Sequence, residues 1–485
     1  MNYRAVSFLL SYLVMGCAIF MSTSLVWAVF ADGSSAIFSM AVSSAICGAV
    51  GLILRWLGRG ANLTFHAREA IAVVTLGWLA ISILGAVPFM LEGVLTNPVD
   101  AFFETASGFT TTGSTVITDL NVCSKALLYW RALTQWLGGM GIIVLFIAIL
   151  PQLGIGAKHM FKSEVPGPIT EGLKPKLKHT ASVLWGLYTG ITAAQVIALL
   201  AAGMNLHDSI CHSLACMATG GFSPRNESIG YYQDPVIEVI ITVFMVLAGI
   251  NFSLYYLILR KRFGEAFSNT ELKVYLGILA IFTIVIAINT YHLHTGIVDV
   301  VLKPAFQVVS MSTTTGFGTE DSNLYPSLSK ILMVILMFIG GSAGSTGGGM
   351  KVSRVIIAFK AALNNIYSAF QPHAVRVVKM GKQPMSEDTV KEVLTFFAVY
   401  MLLFLIGTIV LAAVIPPAEN HVVTCFTASI ACFANIGPGF ADVGATSNFA
   451  FIPATGKIVL SLLMIIGRLE LFTALVIFIP AFWKK

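Results

Sequence analysis

The residues best suited to chemistry lie in four short stretches. The longest is Ser312-Thr313-Thr314-Thr315-Gly316-Phe317-Gly318. Shorter versions are Thr110-Thr111-Thr112-Gly113-Ser114, Ala218-Thr219-Gly220-Gly221-Phe222 and Asn435-Ile436-Gly437-Pro438-Gly439, each between two apolar runs. Taking Gly113, Gly220, Gly316 and Gly437 as the key glycines gives separations of about 107, 96 and 121 residues, which suggests one unit used four times. A dehydrated alkali cation needs several oxygen dipoles around it, and backbone carbonyls supply them without fixed charge. Glycine lets such carbonyls turn inward because it tolerates positive φ, while a neighbouring threonine packs the loop from behind. Four such loops on one axis would close a ring from a single chain.

The surrounding sequence is that of a polytopic membrane protein. Of its 485 residues 56% are hydrophobic and only 11% charged, and the mean hydropathy of +0.85 leaves too little polar surface for a soluble globular fold. The formal charge of +6 falls in particular interhelical segments, which argues against nucleic acid. Seven cysteines show neither C-x-x-C nor zinc spacing and read as buried thiols. The apolar stretch after Arg4 is longer than a secretory signal and is expected to be a retained helix.

Ten apolar runs are long enough to cross a bilayer, at roughly 5–30, 35–56, 70–91, 125–150, 181–203, 234–259, 273–291, 328–369, 393–415 and 456–482. Lysines and arginines gather between every second pair of runs, so both termini are expected on the cytoplasmic side. The opposite face is acidic, carrying Asp100, Glu104, Asp119 and Asp208 among others; it reads either as a solvated surface or as a field that concentrates cations. On that face Asp100–Phe109, Asp208–Met217, Asp299–Met311 and Glu419–Phe433 are apolar but too short to span, and each runs into its Thr/Gly or Asn/Gly loop. They are expected to be re-entrant half-helices whose C-terminal dipole ends point at the ion. The fold class is therefore all-α: two N-terminal helices, then four helix, half-helix, loop, helix repeats forming one pseudo-fourfold pore. The expected divisions are an extension at 1–68, repeats at 69–150, 181–262, 263–370 and 393–485, and cytoplasmic loops at 151–180 and 371–392.

The eighth run contains Ile339-Gly340-Gly341-Ser342-Ala343-Gly344-Ser345-Thr346-Gly347-Gly348-Gly349-Met350-Lys351. Each helical glycine costs about 1 kcal/mol relative to alanine, so a broken helix is expected over 340–350. Irregular backbone at membrane depth must face protein or a watery cavity, and the cavity below the loops makes these residues a candidate gate. Close helix packing by small residues is the alternative. A nucleophile elbow at Ser342 lacks a preceding strand and its acid and base partners, and a P-loop reading fails because Met350 separates the last glycine from Lys351. Arg468, in the last apolar run, must find acceptors inside the bundle. The loop carbonyls are better candidates than Glu470, and the role is either gating or structural anchoring.

Taken together, the single-glycine loops, the two-helix extension and the Gly-rich interruption resemble the TrkH/KtrB/HKT superfamily of potassium-translocating membrane proteins, most closely its bacterial TrkH branch, over essentially the whole chain. The resemblance implies potassium uptake through a filter of Thr111, Thr112, Gly113, Ala218, Thr219, Gly220, Thr314, Thr315, Gly316, Asn435, Ile436 and Gly437. Potassium is then a permeant ligand, with no covalent cofactor and no catalytic residue. It also implies gating by the Gly-rich loop with Lys351 and Arg468, a location in the bacterial inner membrane, a homodimer, and a cytosolic nucleotide-binding RCK-type (TrkA-like) subunit on the basic loops. The fourth loop departs from the pattern, with Asn435-Ile436 where two others have threonines. Broken helices also build ion-coupled symporters, so sodium or proton coupling stays open.

Overall fold

The computed structural model describes residues 1–61, 67–141, 177–373, 376–381 and 383–484. Residues 151–176 of the expected cytoplasmic loop, with Lys158, Lys162, Lys174 and Lys176, lie outside this set. Two apolar helices, Tyr3–Ser22 and Ser34–Leu57, lead the chain and pack on each other. The same sequence of elements then follows four times. An outer helix comes first: Ala67–Gly85, Leu177–Ala201, Thr270–Thr290 and Glu387–Val414. A half-helix follows: Pro98–Phe109, Leu206–Met217, Ile297–Ser312 and His421–Phe433. After the Thr/Gly or Asn/Gly turn comes an inner helix: Lys125–Gly139, Pro235–Ala248, Ser327–Phe338 and Ala454–Arg468.

Local sequence fixes the half-helix starts. Asn97 and Asn205 cap the first two, accepting hydrogen bonds from Val99 and Asp208 N–H, which satisfies donors that a helix start leaves open. The C-terminal turns of all four half-helices are buried, and the second, third and fourth outer helices carry exposed apolar side chains such as Ile197, Ile281, Ile284 and Ile409. The core of the molecule is thus the ring of half-helices and inner helices, with the outer helices presenting an apolar exterior of the kind that faces lipid.

Among the described residues, six helices are long and apolar enough to cross a membrane, against ten apolar runs in the sequence. The six are the two leading helices and the four outer helices. Of the first inner run, 142–150 lie outside the described residues; at the other three inner helices a run of apolar residues conceals a backbone break. The sequence reading expects one such break, at 340–350; the structure has more. Pro235–Ala248 and Phe252–Leu259 meet at 92°, because Gly249 ends the first and Asn251 caps the second by accepting from Ser253 N–H. The last inner helix stops at Arg468, and Glu470 and Leu471 take φ of 57° and 44° before the chain turns into short helical pieces. Arg468 therefore sits at a helix end rather than in mid-span. A two-residue antiparallel pair, Lys379–Met380 with Gln383–Pro384, interrupts the otherwise helical fold within the expected loop 371–392.

Candidate ion pathway

Each half-helix ends in the same hydrogen-bonded reversal. Thr111 N–H donates to Gly108 O at 2.9 Å and Thr112 N–H to Ser107 O at 2.8 Å. Thr219 and Gly220 repeat the pattern onto Cys216 and Ala215, Thr314 and Thr315 onto Met311 and Ser310, and Asn435 and Ile436 onto Cys432 and Ala431. This is the Schellman arrangement, which satisfies the last carbonyls of a helix and needs a left-handed residue just past its end. Glycine usually takes that place. Here Thr111, Thr219, Thr314 and Asn435 take it, at φ of 55°, 52°, 60° and 56°, a conformation that costs an L-residue roughly 1–2 kcal/mol. Pairs of hydroxyls brace two of the turns: Thr110 with Thr112, and Thr313 with Thr315, both at 2.7 Å.

The repeated geometry sets the register of the four turns. Two residues beyond each left-handed position stands a glycine with positive φ: Gly113 at 89°, Gly221 at 74°, Gly316 at 79° and Gly437 at 104°. In the second repeat the equivalent glycine is therefore Gly221, and Gly220 aligns with Thr112, Thr315 and Ile436. Counting glycines in Thr-Gly-Gly gave Gly220, because the sequence does not show which of two adjacent glycines follows the reversal. Cys211, ten residues before Gly221, is buried, as are Phe103, Phe306 and Thr427 at the same distance before their glycines.

The turns touch in a closed cycle. A Cβ on Gly113 would strike the carbonyl oxygen of Gly220, one on Gly221 that of Thr315, one on Gly316 that of Ile436, and one on Gly437 would come within 2.7 Å of Thr112 O. Each seam thus pairs a glycine of one turn with the preceding-position carbonyl of the next, and the fourth returns to the first. Only a residue without a side chain fits such seams. Gln135, on the first inner helix, locks the first seam: its Nε2 donates to Gly220 O at 2.5 Å and its Oε1 accepts from Phe222 N–H at 3.0 Å. At the last seam Asn435 Nδ2 donates to Thr112 Oγ1 at 2.9 Å and to Met464 O at 3.0 Å. The polar side chain that breaks the threonine pattern thus supplies a cross-link between the fourth and first repeats.

Directly beneath lies the Gly-rich loop. The helix stops at Phe338 and resumes at Val352, and Ile339 and Met350 form a bridge across the loop base. A Cβ on Gly348 would meet Ala434 O, and one on Gly347 would lie 3.0 Å from Thr313 O, so the loop is pressed against the ends of the third and fourth half-helices. Ser342 N–H donates to Gly249 O at 2.9 Å and Phe252 N–H to Gly344 O at 3.0 Å, docking the loop into the break of the second inner helix. Lys351 is buried and its ammonium donates to Gly347 O. The Ser342 hydroxyl has no hydrogen-bond partner among the described residues, so neither an acid nor a base addresses it.

Arg468 reaches this loop, as its sequence position suggested, and also reaches further. Its Nη1 donates to Thr346 O at 2.8 Å, while Nη2 donates to Gly138 O and Gly139 O at 2.6 and 2.7 Å. The guanidinium therefore joins the fourth inner helix, the loop and the carbonyl end of the first inner helix, where a cation is favoured by the helix dipole. Glu470 pairs with Arg354.

On the opposite side of the ring several acidic residues are paired. Asp100 pairs with Lys457 at 2.7 Å, Asp208 with Arg225 at 2.8 Å and Glu238 with Lys303 at 2.5 Å. Glu104, deep in the first half-helix, accepts from Arg131 Nε at 2.7 Å, and Thr115 Oγ1 and Val116 N–H also donate to it. These four residues hold the fold. Asp119, by contrast, is half-buried and bonded to amides: hydrogen bonds from Asn226 and Asn121 hold its carboxyl below the ordinary value.

This architecture has known counterparts. Residues 36–485 match the model of a family described as TrkH, cation transport protein. The chain is 35% identical, over 100% of both chains, to the Trk system potassium uptake protein TrkH of Escherichia coli strain K12. It is 36% identical to the protein of the same name from Halomonas elongata, over 94% of each. The crystal structure of the potassium transporter TrkH from Vibrio parahaemolyticus superposes with a TM-score of 0.88 at 31% identity, covering 100% of both chains. With the fold, its four repeated turns and the full-length similarity in agreement, this chain belongs to the TrkH family of cation transport proteins.

Proposed function

We propose that this multi-pass membrane protein takes up potassium through a channel-like pore along the axis of the four turns. The observation that carries this reading is the closed cycle of seams, in which carbonyls of Thr112, Gly220, Thr315 and Ile436 meet glycines of the neighbouring turn. Carbonyl dipoles replace the hydration shell of an alkali cation without placing charge in the membrane. The filter in this proposal comprises Thr111, Thr112, Gly113, Thr219, Gly220, Gly221, Thr314, Thr315, Gly316, Asn435, Ile436 and Gly437, with Ala218 at the end of the second half-helix. One glycine per repeat gives a short filter, so selectivity against sodium is modest. The Gly-rich loop 340–350, Lys351 and Arg468 form the gate. Membership in a family of transport proteins means the chain is not an enzyme, and the hydrolase reading of Ser342 is set aside.

The chain sits in the bacterial inner membrane with both termini cytoplasmic, divided into the extension and four pore repeats given above. It acts as a homodimer with a cytosolic RCK-type subunit that supplies nucleotide regulation on the basic loops 151–180 and 371–392. The relatives' description as members of a Trk system supports a multi-component assembly.

Rubidium tracer uptake into proteoliposomes containing the purified chain tests the core of the proposal. A potassium gradient alone is expected to drive uptake that external potassium blocks and sodium blocks weakly. Uptake that needs an imposed sodium or proton gradient would replace the pore with coupled symport, for which the several broken inner helices provide a structural precedent.

A further inference from the structure

We infer that Glu271 holds the Gly-rich loop in place across the pathway, acting as a positioning residue for gate closure. Glu271 lies in the first turn of the third outer helix, Thr270–Thr290, and is buried. A carboxylate there is costly unless its oxygens are satisfied, and what satisfies it is the loop. One oxygen, Oε1, accepts from Ala343 N–H at 2.8 Å and from Ser353 N–H at 3.0 Å. These two amides stand on opposite shoulders of the loop, so a single atom ties both together.

The second of these bonds answers a defect in the loop's own sequence. The helix Val352–Phe370 begins after Lys351, which makes no capping hydrogen bond, as expected of a side chain with donors and no acceptor. Its first-turn amides need acceptors. Val352 N–H finds Gly341 O at 3.2 Å, and Ser353 N–H finds Glu271. The carboxylate is thus an N-cap supplied in trans, with the negative charge at a helix start that the dipole favours. Withdrawing the loop from the axis either breaks both bonds and uncaps that helix, or requires the third outer helix to move with it. Arg468 and Thr314 grip the middle of the loop from the other side; Glu271 grips its ends.

The inference rests on the gate reading only for its functional consequence, and the experiment separates the two. Hydrogen–deuterium exchange is measured on the full chain in lipid nanodiscs for wild type, Glu271→Ala and Glu271→Gln, with rubidium flux recorded in parallel. Loss of charge-assisted hydrogen bonds is expected to speed exchange of peptides covering 339–353 by about tenfold or more in Glu271→Ala. The Gln variant, which keeps a neutral acceptor, is expected between this and wild type. Exchange in Ser327–Phe338 stays at the wild-type rate. If the Ala variant does not reach the membrane, the Gln variant alone decides the matter. Wild-type exchange in the loop of either recovered variant, or an increase spread evenly over the chain, would overturn the inference. Faster loop exchange with unchanged flux would uphold Glu271 as the anchor and remove the loop as the gate.

Discussion

Thr314 and Gly348 are joined by a 2.6 Å hydrogen bond in which the loop amide donates to the threonine hydroxyl. Thr314 is the left-handed residue of the third turn, two positions before the seam glycine Gly316. Its counterparts point elsewhere. Thr219 donates to the adjacent Ala218 O, Asn435 crosses to Thr112, and the Thr111 hydroxyl has no partner among the described residues. The third turn is thus bonded through its side chain to the loop below, and the ring and the loop share one hydrogen bond.

Replacing Thr314 by Val keeps the shape and removes the acceptor, leaving the buried Gly348 amide unpaired at a cost of about 1–3 kcal/mol. The loop then leaves its closed position more often, so basal rubidium flux rises several-fold. Ser, which restores the hydroxyl, returns flux to near wild type. Equal flux in the Val and Ser variants would show that this bond does not contribute to closure.

Arg468 satisfies three carbonyls on two elements, and no shorter side chain reaches all of them. Arg468→Ala is expected to raise flux more than the Thr314 variant, since it releases both the loop and the end of the first inner helix. Arg468→Lys, with one ammonium in place of a planar fork, falls between. A well-folded Ala variant with wild-type flux would leave Arg468 as a structural anchor only.

Most of this architecture is written locally and so was legible in the chain. The half-helices, expected to end at Phe109, Met217, Met311 and Phe433, end at Phe109, Met217, Ser312 and Phe433, because apolar length followed by a turn is a one-dimensional signal. The Gly-rich break was equally clear. What escaped depends on contacts between distant segments. Glu271 looks like an ordinary helix-start acid until Ala343 and Ser353 are brought against it, and Gln135 like one polar residue in a span. Glu104 carried a usable clue, since a carboxylate inside a short apolar helix demands a partner; Arg131, on the next helix, is that partner. The breaks at Gly249 and Arg468 were hidden because hydropathy registers composition and not backbone direction.

Register in the second turn can be tested directly. Gly221 combines φ of 74° with a seam against Thr315 O. Alanine there incurs roughly 1–2 kcal/mol of backbone strain and also pushes two turns apart. Gly220 has no positive φ, and an added Cβ meets only the end of the Gln135 side chain, whose displacement breaks its two hydrogen bonds without straining the turn itself. Gly221→Ala is therefore expected to abolish selective rubidium flux, with Gly220→Ala retaining part of it. The reverse order of severity would return the key position to Gly220.

Arg131 and Glu104 form the most deeply buried ion pair among those described, with side chains 4% and 0% exposed. The guanidinium also donates to Ser223 O at 3.0 Å and lies 3.5 Å from the centre of the Phe222 ring, so it links the first half-helix to the segment leaving the second turn. Removing one member of such a pair strands the other and costs about 3–5 kcal/mol. Arg131→Ala is expected to lower the thermal midpoint in detergent by several degrees or to prevent recovery of the protein. Adding Glu104→Gln to it removes the stranded charge and recovers part of the loss; a purely additive double variant would show that the pair is not coupled. Because Thr115 and Val116 also donate to Glu104 just beyond Gly113, the rescued double variant is further expected to discriminate less well between potassium and sodium. Stability restored without any change in selectivity would confine the pair to holding the fold.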